Sequence, residues 1–200
     1  MSAAAGSLEV LRAAQRTPVP WKNGGGLTRE VAVHPPVSDP GDFDWRVSIA
    51  DIRAAGPFSL FRGIDRRLAV LSGRLSLAIE GQGAVTLTPE SDPVAFPGER
   101  AVHAEPLGAP VTDLNVMTRR ERCSASLTRR FAQAPAVLEP RADTTVLIAL
   151  ADLAVRGAGA VLSLSALDAL RIRHVPGCAL VVHCGLAPYY LIEISEHRRE

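Results

Sequence analysis

Residues 43–52 alternate without a break. Phe43, Trp45, Val47 and Ile49 fall on one face of an extended chain, and Asp44, Arg46, Ser48 and Ala50 fall on the other. A helix would need apolar residues every three to four positions, so this period of two predicts a strand. The same texture recurs at 28–34, 67–71, 75–80, 84–87, 93–96, 112–118 and 123–130. Turn residues such as Ser72-Gly73 and Gly81-Gln82-Gly83 separate the runs, and Pro35, Pro36, Pro40 and Gly41 mark a loop. Weaker runs follow at 146–150, 160–162, 170–173, 179–183 and 189–194. Residues 165–169 read as a single helical turn with Ser165 as N-cap. Short strands at this spacing predict an all-β sandwich or barrel. A diverged duplication of a small barrel, joined near residues 130–145, fits the pattern.

Composition narrows the function classes. The 200 residues are 47% hydrophobic and 22% charged, the mixture of a soluble globular chain with room for a sizeable core. A net charge of +1 argues against nucleic acid as partner, and 4% aromatics argue against a base-stacking platform. The N-terminus shows no basic and apolar leader pattern, and no apolar run reaches about 18 residues. No membrane partner is expected. Cys123, Cys178 and Cys184 are an odd set without a CxxC pair, which fits a reducing cytoplasm. Cys184 follows His183, but neighbours on a strand point to opposite faces, so the pair is not read as a metal or nucleophile site.

Four stretches carry candidate chemistry. Trp21-Lys22-Asn23-Gly24-Gly25-Gly26 holds the only lysine of the chain beside three glycines. Its amides, with Lys22 and Asn23, form a candidate anion loop; the alternative is a tight turn into the next strand. It is no P-loop, because the lysine precedes the glycines. On the polar face of 43–52, small Ser48 and Ala50 leave room beside Arg46, and such room suits a carboxylate. The plainer reading is a solvent-facing strand side. Gly56-Pro57 and Arg62-Gly63 frame a loop before Asp65 and Arg66, which are a structural pair or ligand contacts. In 113–120, Asp113, Asn115 and Met117 share a face opposite Leu114 and Val116. An inward asparagine must be hydrogen-bonded, by a network or by a ligand.

The chain resembles the HutD/Ves family through "PWKNGGGLTREV", "DFDWRVSIADI", "GPFSLFRGIDRRLAVLSG" and "VTDLNVMTRR". Four unusual segments in the expected order make the resemblance specific; it is strong over residues 8–131 and weak beyond. One departure is Phe61-Arg62-Gly63, where the family more often has proline before the glycine; this should change a loop. The resemblance implies a bicupin, an RmlC-like jelly roll with two β-barrel halves in one chain. Residues 1–135 would be an N-terminal cupin barrel with a ligand pocket, and 136–200 a C-terminal cupin-like half. It also implies a small acidic partner from histidine degradation, N-formylglutamate or formiminoglutamate, bound in a regulatory role in the cytoplasm. Homodimerisation is common among cupins and is a further expectation. Ligand-binding candidates are Lys22, Asn23, Thr28, Glu30, Arg46, Ser48, Arg66 and Asn115. Lys22, Arg46 and Arg66 would pair with carboxylates, Thr28, Ser48 and Asn115 would read polar groups, and Glu30 would orient an arginine or accept a ligand N–H.

Neither a metal nor another cofactor is expected. Many cupins hold a metal through an HxH pair, a glutamate and a further histidine, and no HxH occurs here. His103 falls two positions late for the second cupin motif, and one histidine is too few for a divalent site. His34, His174 and His197 read as surface or loop residues. No GxSxG elbow is present, and the only tyrosines, Tyr189 and Tyr190, lie far along the chain from His103. No catalytic residue is assigned. A binding protein is favoured over two alternatives: a metal-independent hydrolase or isomerase, and an interaction module with a vestigial pocket.

Overall fold

A computed structural model describes residues 7–36, 41–131, 135–157, 159–173, 179–183 and 188–197. Strands dominate these residues; the single helical element is a 3-10 turn at Ala13–Gln15. The chain divides into two compact units, one spanning Arg16–Ser124 and the other Ala125–Glu196 together with the segment ending at Gln15.

The Arg16–Ser124 unit has two antiparallel sheets. One orders its strands Pro18–Pro20, Gly26–His34, Trp45–Ile52, Val111–Arg119, Ile64–Ser72 and Val94–Pro97. The other orders Gly56–Pro57, Val102–Pro106, Leu75–Ile79 and Gly83–Leu87. Ile52, Leu68, Val70 and Val111 of the first pack with Leu75, Leu77, Ile79, Val102 and Ala104 of the second. Each of the valine, leucine and isoleucine side chains so removed from water contributes about 1.5–3 kcal/mol. No strand pairing among the described residues closes the two sheets into one barrel.

Trp45–Ile52 and Val111–Arg119 occupy the middle of the six-stranded sheet and are buried on both faces. The apolar face of Trp45, Val47 and Ile49 is as alternation predicts. Its opposite face is not the solvent-facing side of the plainer reading: Ser48 and Ala50 are both buried. Register puts them on the side that carries Leu68 and Val70, which pack against the second sheet, and one strand's pattern does not reveal its place in the sheet.

The second unit pairs Leu8–Leu11, Ala169–Arg173, Thr144–Ala149, Pro188–Glu196 and Cys123–Phe131 in one sheet. Ala136–Leu138, Leu180–His183, Leu153–Gly157 and Ala160–Leu164 make the other. Leu147, Val155, Leu170, Ile172, Leu180 and Val182 fill its core. The division drawn from sequence, 1–135 and 136–200, differs from these units at both ends. Leu8–Leu11 pairs with Ala169–Arg173, a long-range pairing that leaves no local trace.

The helical turn expected at 165–169 is instead a tight turn. The Asp168 amide donates to Ser165 O at 2.9 Å, and Leu167 has φ of 65°. The Asp168 carboxylate accepts from the amides of Ser165 and Ala13 and from Arg12. Ser165 is therefore a donor to that carboxylate here, not an N-cap acceptor. Val102–Pro106 and Leu153–Gly157 escaped the sequence reading because each has too few inward residues to display a period.

Candidate functional site

Cross-strand register sorts the inner face of the six-stranded sheet into rows. In an antiparallel sheet, directly paired residues point to the same side, about 5 Å apart, and successive same-face rows are about 7 Å apart. Arg46, Met117, Arg66 and Phe96 form one row. Glu30, Ser48, Asn115 and Leu68 form the next. Thr28, Ala50, Asp113 and Val70 form the third. Six of the eight residues proposed from sequence, Thr28, Glu30, Arg46, Ser48, Arg66 and Asn115, thus share one face. A register shift after Glu30 inserts an extra residue, a bulge of the kind that re-aims side chains beside sites.

Burial deepens across the rows. Glu30 is exposed and Arg46 and Thr28 are half-buried, whereas Arg66 is 6% exposed, Asn115 8% and Asp113 1%. The Arg66 guanidinium lies 4.9 Å from the Phe58 ring centroid, 5.0 Å from Phe96 and 5.9 Å from Phe61. Such stacking stabilises a cation while leaving its in-plane N–H donors available. Its one protein hydrogen bond is long, 3.4 Å to Ser59 O, and Nε has no partner. Burial pulls Arg66 down to about 10, opposed by Asp113 and reinforced by Arg46.

Arg46 donates from Nε to Glu30 Oε2 at 3.1 Å, so Glu30 orients an arginine as alternation suggested. Thr28 Oγ1 accepts from the Trp21 indole at 2.8 Å, and Trp21 meets Phe58 edge-on at 6.2 Å. Asp113 was placed on the Asn115 face by sequence but left out of the ligand set; here it is the most buried polar group on that face. Burial pushes its carboxyl up to about 7, against the pull of Arg66 and of the Ala50 amide. Oδ1 of Asp113 and Oδ1 of Asn115 have no hydrogen-bond partner. The spacing of 113 and 115 on one face was the available signal for Asp113. Phe58 and Phe96 gave none, because only the fold brings them to Arg66.

The glycine loop lies beside these rows, joined to the third by the Trp21 indole on Thr28. Gly24 N donates to Trp21 O at 3.0 Å, and Gly25 N to Asn23 Oδ1 at 3.0 Å, so the turn itself consumes these two amides. Gly24 has φ of 72°, and a Cβ on Gly26 would lie 2.4 Å from Asp51 O. The tight-turn reading explains these glycines. Lys22 and Asn23 are exposed on this turn, outside the buried rows. Asp65, the other member of the Asp65-Arg66 alternative, pairs instead with Arg120 at 2.7 Å, which also holds Glu99.

The inner face is a poor metal site. One carboxylate, Asp113, lies deep among two arginines, an asparagine and a serine, where a divalent cation would need several imidazole or carboxylate donors. His103 is exposed, since Val102 and Ala104 take the inward positions of its strand. No group of three or more His, Cys, Asp or Glu suited to a metal occurs among the described residues. His34 is half-buried and stacks on Trp45 at 5.8 Å, whereas His197 is exposed; His174, Cys178 and Cys184 lie outside the described residues. Cys123 is buried. No described helix is long and apolar enough to cross a membrane.

Comparison with known proteins agrees with this architecture. Protein Ves of Citrobacter koseri is 43% identical over 109 residues, which are 54% of this chain and 56% of that protein. The match therefore spans little more than half of that relative's length. An uncharacterized 21.2 kDa protein from the hutC 3' region of Pseudomonas putida is 36% identical over 163 residues, 76% of this chain and 83% of the other. The structure of HutD from Pseudomonas fluorescens SBW25 (formate condition) superposes with a TM-score of 0.81 at 30% identity, covering 96% of this chain and all of that one. The fold is all-β and cupin-like. With the HutD family model matching residues 13–185, across both units, the chain belongs to the HutD family.

Proposed function

We infer that this protein binds a small acidic metabolite on the inner face of its Arg16–Ser124 unit. The reading extends to a cytoplasmic bicupin that acts by binding, in a regulatory role. One observation carries it: a guanidinium 6% exposed, held by three phenyl rings, whose only protein hydrogen bond is 3.4 Å long. A buried arginine with unfilled donors is stabilised by an acid group that accepts two of them at once. Arg46, two positions away in the same row beyond Met117, adds a second cation at the rim. N-formylglutamate and formiminoglutamate are the candidates, supported by the family and by a relative from the hutC 3' region.

Purified protein mixed with N-formylglutamate, and in parallel with formiminoglutamate, urocanate and histidine, tests this by NMR. Broadened ligand lines without new product peaks are expected, and Arg66→Ala should remove the broadening. Sharp lines with every acid would refute the ligand class. A second reading, metal-independent catalysis, draws on the Asp113 carboxyl, which burial brings near neutrality, where a general acid or base works best. Product peaks that disappear in Asp113→Asn would establish it.

A further inference from the structure

Two buried groups of opposite charge share the inner face without touching. Arg66 and Asp113 attract each other, yet no direct ion pair joins them among the described residues. Register explains the gap: Arg66 stands in the first row and Asp113 in the third, about 14 Å apart along the strands at the backbone. The other charges facing them are settled. Glu30 holds Arg46. The second sheet turns only apolar side chains inward, Leu75, Leu77, Ile79, Val102 and Ala104. Asp51 repels Asp113 from the opposite side of the sheet, where Arg29 and Thr112 engage it. His34 stacks on Trp45 on that opposite side as well, and His103 points out of its own sheet. On the inner face, Asp113 is thus the counter-charge left to Arg66.

An acid bound at Arg66, as inferred above, becomes a second counter-charge to the same guanidinium. Two carboxylates on one buried face repel each other, and little water screens them there. One cation balances only one of them. The ligand's carboxylate reaches the guanidinium donors directly, whereas Asp113 keeps only the Ala50 amide. We propose that the site takes up its acid together with one proton from solvent, and that Asp113 receives that proton. Asp113 is then a positioning residue, acting on the ligand through the charge of Arg66. Affinity consequently depends on pH. Burial already brings the free carboxyl to about 7. In more acidic solution the proton is in place before the acid arrives, and binding draws none. In more alkaline solution each bound acid must draw one, so affinity falls by up to about tenfold per pH unit.

Calorimetric titration of the full chain tests the proposal, with N-formylglutamate and, in parallel, formiminoglutamate as probes. Each is run at pH 5.5 and 8.5, in two buffers of different ionisation heat. Affinity should be about tenfold or more weaker at pH 8.5. The buffer comparison should show close to one proton taken up per acid at pH 8.5 and close to none at pH 5.5. In Asp113→Asn, with circular dichroism confirming the fold, affinity should be equal at both pH values and uptake absent. Infrared difference spectra of the natural protein at pH 8.5 should gain the C=O band of a protonated carboxyl on binding, which needs no variant. Equal affinity at both pH values, without proton uptake or that band, overturns this inference and leaves the acid site intact. Uptake that persists in folded Asp113→Asn assigns the proton to another group and overturns it too. Failure of both probes to bind at either pH overturns the acid-binding reading and this one with it.

Discussion

Replacing Asp113 by asparagine should stabilise the protein at alkaline pH and hardly affect it in acid. The carboxyl is 1% exposed and burial raises it from 3.8 to about 7. Below the unfolded value of 3.8, folded and unfolded chains both hold the proton, and the site has no pH-dependent effect. Between 3.8 and about 7 the folded chain holds a proton that the unfolded chain has released. Stability from this group therefore falls as pH rises through that window and is level above it. The interval corresponds to about 4 kcal/mol, reached in full near pH 8, and to about 2 kcal/mol at pH 5. Asparagine has the same outline and no charge to desolvate. In a chain of this size the difference at pH 8 amounts to a melting temperature higher by on the order of 10 °C. Thermal unfolding of both proteins at pH 4, 5, 6.5 and 8, without ligand, measures it. A stability difference independent of pH, or a natural protein more stable than the variant at pH 8, would refute the buried-charge reasoning.

Arg46→Ala should weaken binding of N-formylglutamate by about 1.5–3 kcal/mol, roughly 10–100-fold, if its guanidinium makes a charge-assisted bond to the acid; unchanged affinity in titration would remove it from the site. Gly26→Ala should destabilise the fold by about 1–3 kcal/mol in urea unfolding, because the new methyl would lie 2.4 Å from the Asp51 carbonyl; unaltered stability would show that the strands can part there. Asp168→Ala should cost about 3 kcal/mol at pH 7, since Arg12 and the amides of Ala13 and Ser165 lose their acceptor. Burial works against the ionised Asp168, but those three donors hold its carboxyl below the ordinary value. Its stabilisation is complete above the unfolded value of 3.8 and is lost as pH falls through the lower folded one, so the two melting curves should converge only in strong acid.

Alternation alone determined much of the site's order. It put Arg46, Ser48 and Ala50 together, and Asp113, Asn115 and Met117 together, because side chains on a strand can only point to one side or the other. It also assigned Trp45, Val47 and Ile49 to a buried face. Family resemblance added the cupin-type fold, which no single strand pattern contains. What alternation could not state was which strands are neighbours. The rows exist because Val111–Arg119 pairs with Trp45–Ile52 on one side and Ile64–Ser72 on the other, across separations of 40 to 73 residues that leave no periodic mark. That pairing turned a face that looked solvated into an interior one, and an aspartate left out of the ligand set into its most buried charge. The three phenyl rings around Arg66 come from a loop and a sheet edge, and only the folded chain assembles them. Likewise, nothing local distinguishes a glycine loop that receives an anion from one that closes on itself; the carbonyl of Asp51, brought against Gly26 by the neighbouring strand, decided that position. Local sequence sets the direction of each side chain, and long-range pairing sets what that side chain meets.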